Sequence, residues 1–168
     1  MKVLVSAASK HGSTMELAEA MGRVFDDAGL EADVMPLEEV RTLDGYDAFV
    51  LGSAVYVGRW LPQATSFVND HAEQLRGRPT WLFSSGPIGS PEPMPKGQPE
   101  GIADLAEAIG ARANHIFTGK LDRSQLSFGE KVITSAVRAP EGDYRDWSAV
   151  ESWAREICGE LRQPATSS

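Results

Sequence analysis

Apolar and polar positions alternate in blocks along this chain, and the blocks predict strand and helix in turn. Val3-Leu4-Val5 is a short apolar run bounded by turn residues, the mark of a buried strand. A helix is predicted next. Ser13-x-x-Glu16 reads as a capping box, and Leu17, Ala18, Met21, Val24, Phe25 and Ala28 form one apolar stripe at helical spacing, stopped by Gly29. Residues 30–36 read as a half-polar edge strand, and the wholly apolar 47–53 as a central third strand. Pro62 opens a second helix with Leu61, Ala64, Phe67, Val68, His71, Ala72 and Leu75 facing inward. Residues 79–85 form a fourth strand, followed by a Pro/Gly-rich loop over 86–97. Pro99 starts a third helix, with Ile102, Leu105, Ala106 and Ile109 inward and Gly110 at its end. Residues 114–121 hold a fifth strand. Ser127-x-x-Glu130 caps a short helix over 128–138. Ser148-x-x-Glu151 caps the last helix, with Trp147, Val150, Trp153, Ala154, Ile157 and Leu161 inward. Residues 162–168 read as a disordered tail.

Alternating strands and helices imply an α/β fold: a parallel sheet covered by helices on both faces, in three layers. Right-handed crossovers and five strands suit the doubly wound order 2-1-3-4-5. Ligands of such sheets bind at the carboxyl ends of the strands, where the order reverses between strands 1 and 3. No internal repeat or linker divides the chain, so residues 1–161 read as one domain.

Composition narrows the function classes. At 168 residues and 42% apolar, the chain suits one domain with an ordinary core. A net charge of −8 argues against a nucleic-acid binder, which would show basic patches. The single cysteine, Cys158, excludes an internal disulfide and a thiolate metal cluster, and its helical position favours core packing. No apolar run reaches the length of a membrane span, and no signal peptide is legible. A cytoplasmic location is expected.

The candidate chemistry begins at the first strand's end. Ser9-Lys10-His11-Gly12-Ser13-Thr14 is a hydroxyl- and glycine-bearing loop that opens directly onto a helix. Unpaired N–H groups and the helix dipole make such a terminus an anion cradle. Gly12 lets the backbone approach closely. A triphosphate loop needs a lysine directly before the hydroxyl residue, and a dinucleotide loop needs three glycines. Here Lys10 precedes Gly12, and Gly12 is alone, so the pattern suits a single terminal phosphate held by neutral donors. His11 is either a plain loop residue or a phosphate-side donor. The loop lacks the paired carboxylates of a phosphorylatable receiver domain, and the third strand ends in Gly52-Ser53, so Lys120 alone fits that alternative.

This loop resembles the phosphate loop of the flavodoxin family, roughly [ST]-x-[ST]-G-x-T, which holds the phosphate of FMN. Ser9, Gly12, Ser13 and Thr14 match by position, and His11 stands where a hydroxyl residue is usual. The resemblance implies a flavodoxin-like fold with FMN as cofactor and two further binding loops. The second is 52–60, from which Ser53, Ala54, Val55, Tyr56, Gly58 and Trp60 are expected at the flavin. Tyr56 or Trp60 either stacks on the isoalloxazine or caps the core at the start of the second helix. Its glycines and aromatics stand where packing does not require them. The third is 84–89, where Ser85, Gly86, Pro87, Ile88 and Gly89 bring backbone groups to the flavin edge.

Within that family the chain is most similar to the flavodoxin-like menaquinone-dependent protoporphyrinogen oxidases. Residues 9–14, 47–58 and the C-terminal Asp146-Trp147-x-x-Val150-x-x-Trp153-Ala154-Arg155-Glu156-Ile157 carry the likeness. These oxidases carry a basic, aromatic insertion before the last helix, as suits a membrane quinone. Residues 122–145 occupy that slot here with balanced charge: Arg123, Lys131, Arg138 and Arg145 against Asp122, Glu130, Glu141 and Asp143. Membrane contact is therefore expected to be peripheral at most. Two functions stay open. One is an FMN-dependent oxidoreductase passing electrons from a porphyrinogen or other small reductant to a quinone. The other is a flavodoxin carrying electrons between redox partner proteins. A flavodoxin fold that has lost its flavin is a third, blander reading.

Overall fold

The computed structural model describes residues 1–9, 12–56, 59–85, 101–117, 120–121, 142–143 and 147–162. Lys10, His11, Gly58, the 86–97 loop (with Gly86, Pro87, Ile88 and Gly89), Pro99, the helix expected over 128–138 and the tail from 163 lie outside the described residues. So do the side chains of Ser13 and Tyr56.

In chain order the elements are β1 (Lys2–Ala8), α1 (Ser13–Asp27), β2 (Glu31–Pro36), a 3-10 turn (Leu37–Glu39), β3 (Ala48–Tyr56), β4 (Arg59–Trp60), α2 (Pro62–Asp70) and α3 (Ala72–Arg76). There follow β5 (Thr80–Ser85), α4 (Ile102–Ile109), β6 (Ala113–Phe117), β7 (Lys120–Leu121), β8 (Gly142–Asp143) and α5 (Trp147–Arg162). The main sheet runs β2-β1-β3-β5-β6, all parallel, with β4 antiparallel on β3. Setting β4 aside, this is the expected doubly wound order, and it reverses between β1 and β3.

Period-two alternation divides the core. Val3, Val5 and Ala7 of β1, Val50 of β3 and Phe83 of β5 face α1 and α5. Leu4, Leu51 and Leu82 face α2, α3 and α4. The end of α1 forms as its glycine predicts. Gly29, at φ 89, donates its N–H to Asp26 O, and Leu30 N–H reaches back to Phe25 O, each at 3.0 Å. That pair of bonds is a Schellman stop.

Several boundaries differ from the sequence reading. The N-cap of α1 is Gly12 in the left-handed region at φ 84, with no side-chain cap. Ser13 thus lies one residue inside the helix instead of at its N-cap. The last helix begins at Trp147, which puts Ser148 inside it, and Trp147 is 36% exposed instead of inward. The second helix divides at His71, whose φ of −110 leaves the helical region. The His71 ring stacks on Phe67 at 4.4 Å, and Nδ1 lies 2.8 Å from Phe67 O. The third strand runs past Ser53 to Tyr56, because pairing Val55 with Trp60 buries both. The fifth strand divides. β6 stays in the sheet, whereas β7 pairs antiparallel with β8, Lys120 opposite Asp143, so a two-stranded ribbon joins the chain just before the insertion to a segment near the insertion's end.

Candidate flavin-binding rim

Three strand ends meet at one level of the sheet. Ala8 of β1 is in register with Ser53 of β3, and Ser53 with Ser84 of β5. The loops after β1, β3 and β5 therefore leave the sheet side by side, at the point where the strand order reverses.

The loop after β1 is closed by its own first hydroxyl. Gly12 N–H donates to Ser9 Oγ at 2.9 Å, and the first helical bond is Glu16 N–H to Gly12 O at 3.2 Å. Ser9 thus shapes the loop. An added Cβ at Gly12 would meet nothing of the chain within 4 Å, so the glycine is required by its φ of 84 rather than by crowding within the protein. The N–H groups of Ser13, Thr14 and Met15 precede the first helical bond and point outward at the positive end of the dipole.

Thr14 is the informative residue here. It is 0% exposed, and its Oγ1 has no hydrogen-bond partner in the chain. A buried hydroxyl without a partner costs about 1–3 kcal/mol. An anion seated on the loop would accept that O–H and remove the cost, so the residues present fit a phosphate.

The second segment is a hairpin, not a loop. Ala54 and Val55 belong to β3, and Val55 and Tyr56 pair with Trp60 and Arg59. Ser53, expected at the flavin, ties the hairpin down: its Oγ donates to Ala54 O at 2.8 Å and accepts Leu61 N–H at 3.0 Å. Trp60 is 6% exposed, and its Nε1–H donates to Ser84 Oγ at 2.7 Å. Gly52 also has a packing reason, contrary to expectation, because Phe83 lies against it. Ser84 was overlooked as an anchor, because only its contact with the distant Trp60 indole reveals it. Ser85 closes β5 at the same rim, buried.

None of the described groups with a displaced pKa lies at this rim. The His115 imidazole is pushed down by burial, against an upward pull from Glu156, and stacks on Phe117 and Trp153 at 4.4 and 5.3 Å on the α5 face. The Cys158 thiol is pushed up by burial, against Arg162, in the α1–α5 core. Tyr46 is pushed up to about 12 by burial and its bond to Asp33. Its hydroxyl donates to Asp33 Oδ2 at 2.7 Å, beside Lys2 at the opposite end of β1. The described residues of the loop after β1 offer hydroxyls and backbone amides. Among the described residues no cluster could hold a metal ion, and no helix is long and apolar enough to cross a membrane.

Comparison with known proteins agrees with this geometry. The chain is 23% identical over 171 residues to the protoporphyrinogen IX dehydrogenase [quinone] of Escherichia coli strain K12, covering 94% of each. A flavodoxin from the domain Archaea superposes with a TM-score of 0.67 at 18% identity, covering 97% of this chain and 100% of that one. The rubredoxin oxygen:oxidoreductase of Desulfovibrio gigas superposes with a TM-score of 0.65 at 15% identity; 96% of this chain matches 36% of that longer one. The protein-family model for the flavodoxin domain matches residues 4–148, and the chain belongs to that family.

Proposed function

We propose that the chain binds FMN at this rim and works as a flavin oxidoreductase, moving electrons from a small reductant to a quinone-type acceptor. The observation that carries the reading is Thr14 Oγ1, a buried donor whose partner the chain itself does not supply. Ser9, Gly12, Ser13 and Thr14 would hold the phosphate, with Lys10 and His11 beside it. Tyr56, Gly58 and Ser85, with 86–89, would border the ring. When bound, FMN supplies the electron chemistry, while the protein binds it, orients it and excludes water. An enzyme rather than a carrier is favoured by the insertion at 122–145, which a carrier does not need and whose last part pairs through β8 with β7. The likeness to a quinone-dependent dehydrogenase over 94% of both chains points the same way. Purified protein reconstituted with FMN should turn yellow and release FMN, not FAD, on denaturation. Protein that takes up no FMN would overturn the assignment. Anaerobic reduction against protoporphyrinogen, NAD(P)H and quinol then separates enzyme from carrier by which partner reacts at turnover rate.

A further inference from the structure

Two serine hydroxyls on neighbouring strands carry the return limb of the rim hairpin. Ser53 and Ser84 are register partners on β3 and β5, and both are fully buried. Ser53 Oγ accepts Leu61 N–H at 3.0 Å, and Ser84 Oγ accepts the Trp60 indole N–H at 2.7 Å across 24 residues of chain. The ladder alone gives the hairpin little direction. β4 is two residues long and pairs with Val55 and Tyr56, and a ladder so short is marginal by itself. Burial of Trp60 and Leu61 in the core adds stability, but the hydrophobic effect is non-directional.

Ser84 has the more telling place. It interrupts a strand whose preceding Trp81, Leu82 and Phe83 are apolar and buried, and it stands one residue before the end of β5. A hydroxyl–indole bond is worth less, net, than an aliphatic side chain buried at the same point, so what it adds is direction more than stability. Its bond ties the hairpin after β3 to the strand that leads into 86–89.

We infer that Ser84 is a positioning residue for the flavin ring: through the Trp60 indole it locks the hairpin to β5, so that the segments after β3 and β5 meet the ring as one preset wall. The inference rests on the FMN reading of the rim. Order paid for before binding is not paid again on binding, so a loosened hairpin loses affinity for the ring whatever the ligand's tail carries. Thr14 acts at the other end, on the phosphate.

The test titrates FMN, and riboflavin, which lacks the phosphate, into the full chain, alongside urea unfolding. Ser84→Ala should weaken both flavins by one factor, about threefold or more, and change the visible circular dichroism of the bound ring. Thr14→Val should weaken FMN more than riboflavin. Adding Ser84→Ala to Trp60→Phe should change riboflavin affinity by less than about twofold, because the bond is already gone. Ser84→Cys keeps a weak acceptor and should fall between wild type and Ser84→Ala; it carries the comparison if the alanine variant does not fold. A serine that acts on stability alone would lower the urea midpoint and leave both dissociation constants as in wild type, and that result overturns the inference. So does weakening of FMN alone, or full additivity with Trp60→Phe. Failure of the FMN reading shows separately, as a wild-type protein that binds neither flavin.

Discussion

Phe83 lies across the open face of Gly52, its register partner on the neighbouring strand; a Cβ built at Gly52 would sit 2.5 Å from Phe83 Cε1. The ring fills the space a side chain would have used and packs on toward Phe117 and Trp153, at 6.3 Å from each. A methyl group at 52 has to displace a fully buried aromatic. Gly52→Ala should therefore destabilise the fold by about 1–3 kcal/mol, the usual cost of overpacking. Combining it with Phe83→Leu should cost less than the two single changes added, since the smaller side chain makes room. Urea unfolding of the three variants checks this, and strict additivity would contradict the contact.

The hairpin at the rim is held by two serine hydroxyls. Ser84→Ala removes the acceptor of the Trp60 indole and leaves a buried N–H alone, which costs about 1–3 kcal/mol. Trp60→Phe should be costly too, but adding Ser84→Ala to it should be nearly neutral, because no buried donor then remains. A double-mutant cycle in urea measures the difference.

His115 should give the protein an acid limb. Burial holds its imidazole below the usual 6.5, so the unfolded chain takes up a proton that the folded one resists. Stability from this group is complete above about pH 6.5 and is lost as pH falls through the lower folded value. His115→Gln should flatten the pH dependence of Tm below pH 6.5, by at most about 1.4 kcal/mol per pH unit. Parallel Tm–pH curves for the two proteins would show that His115 does not contribute.

The alternation of strands and helices was legible in the sequence because it follows from periodicity, and the strand order then followed from right-handed crossovers. Val3, Leu4 and Val5, for example, alternate between faces as their strand requires. The glycine-bearing turn from β1 into α1 was legible for a different reason, since a glycine and hydroxyls between an apolar run and an amphipathic stripe mark a strand-to-helix junction. What escaped was decided by contacts between distant residues. Ser53 and Ser84 look like exposed loop hydroxyls until Leu61 N–H and the Trp60 indole are seen to occupy them. Gly52 looks like a binding-loop glycine until Phe83 is laid over it. The starts of α1 and α5 were misplaced because Ser-x-x-Glu also fits positions one residue inside a helix, and Gly12 in a left-handed conformation was already starting α1.

The central claim is that Thr14 keeps a hydroxyl for a ligand phosphate, and Thr14→Val tests it by two readings with opposite signs. Without FMN, the variant should be as stable as wild type or up to about 1–3 kcal/mol more stable, because a buried partnerless hydroxyl has gone. With FMN, the dissociation constant should rise about tenfold or more, the loss of roughly 1.4 kcal/mol of phosphate contact. A variant that is less stable without FMN and binds it as tightly as wild type would contradict the account.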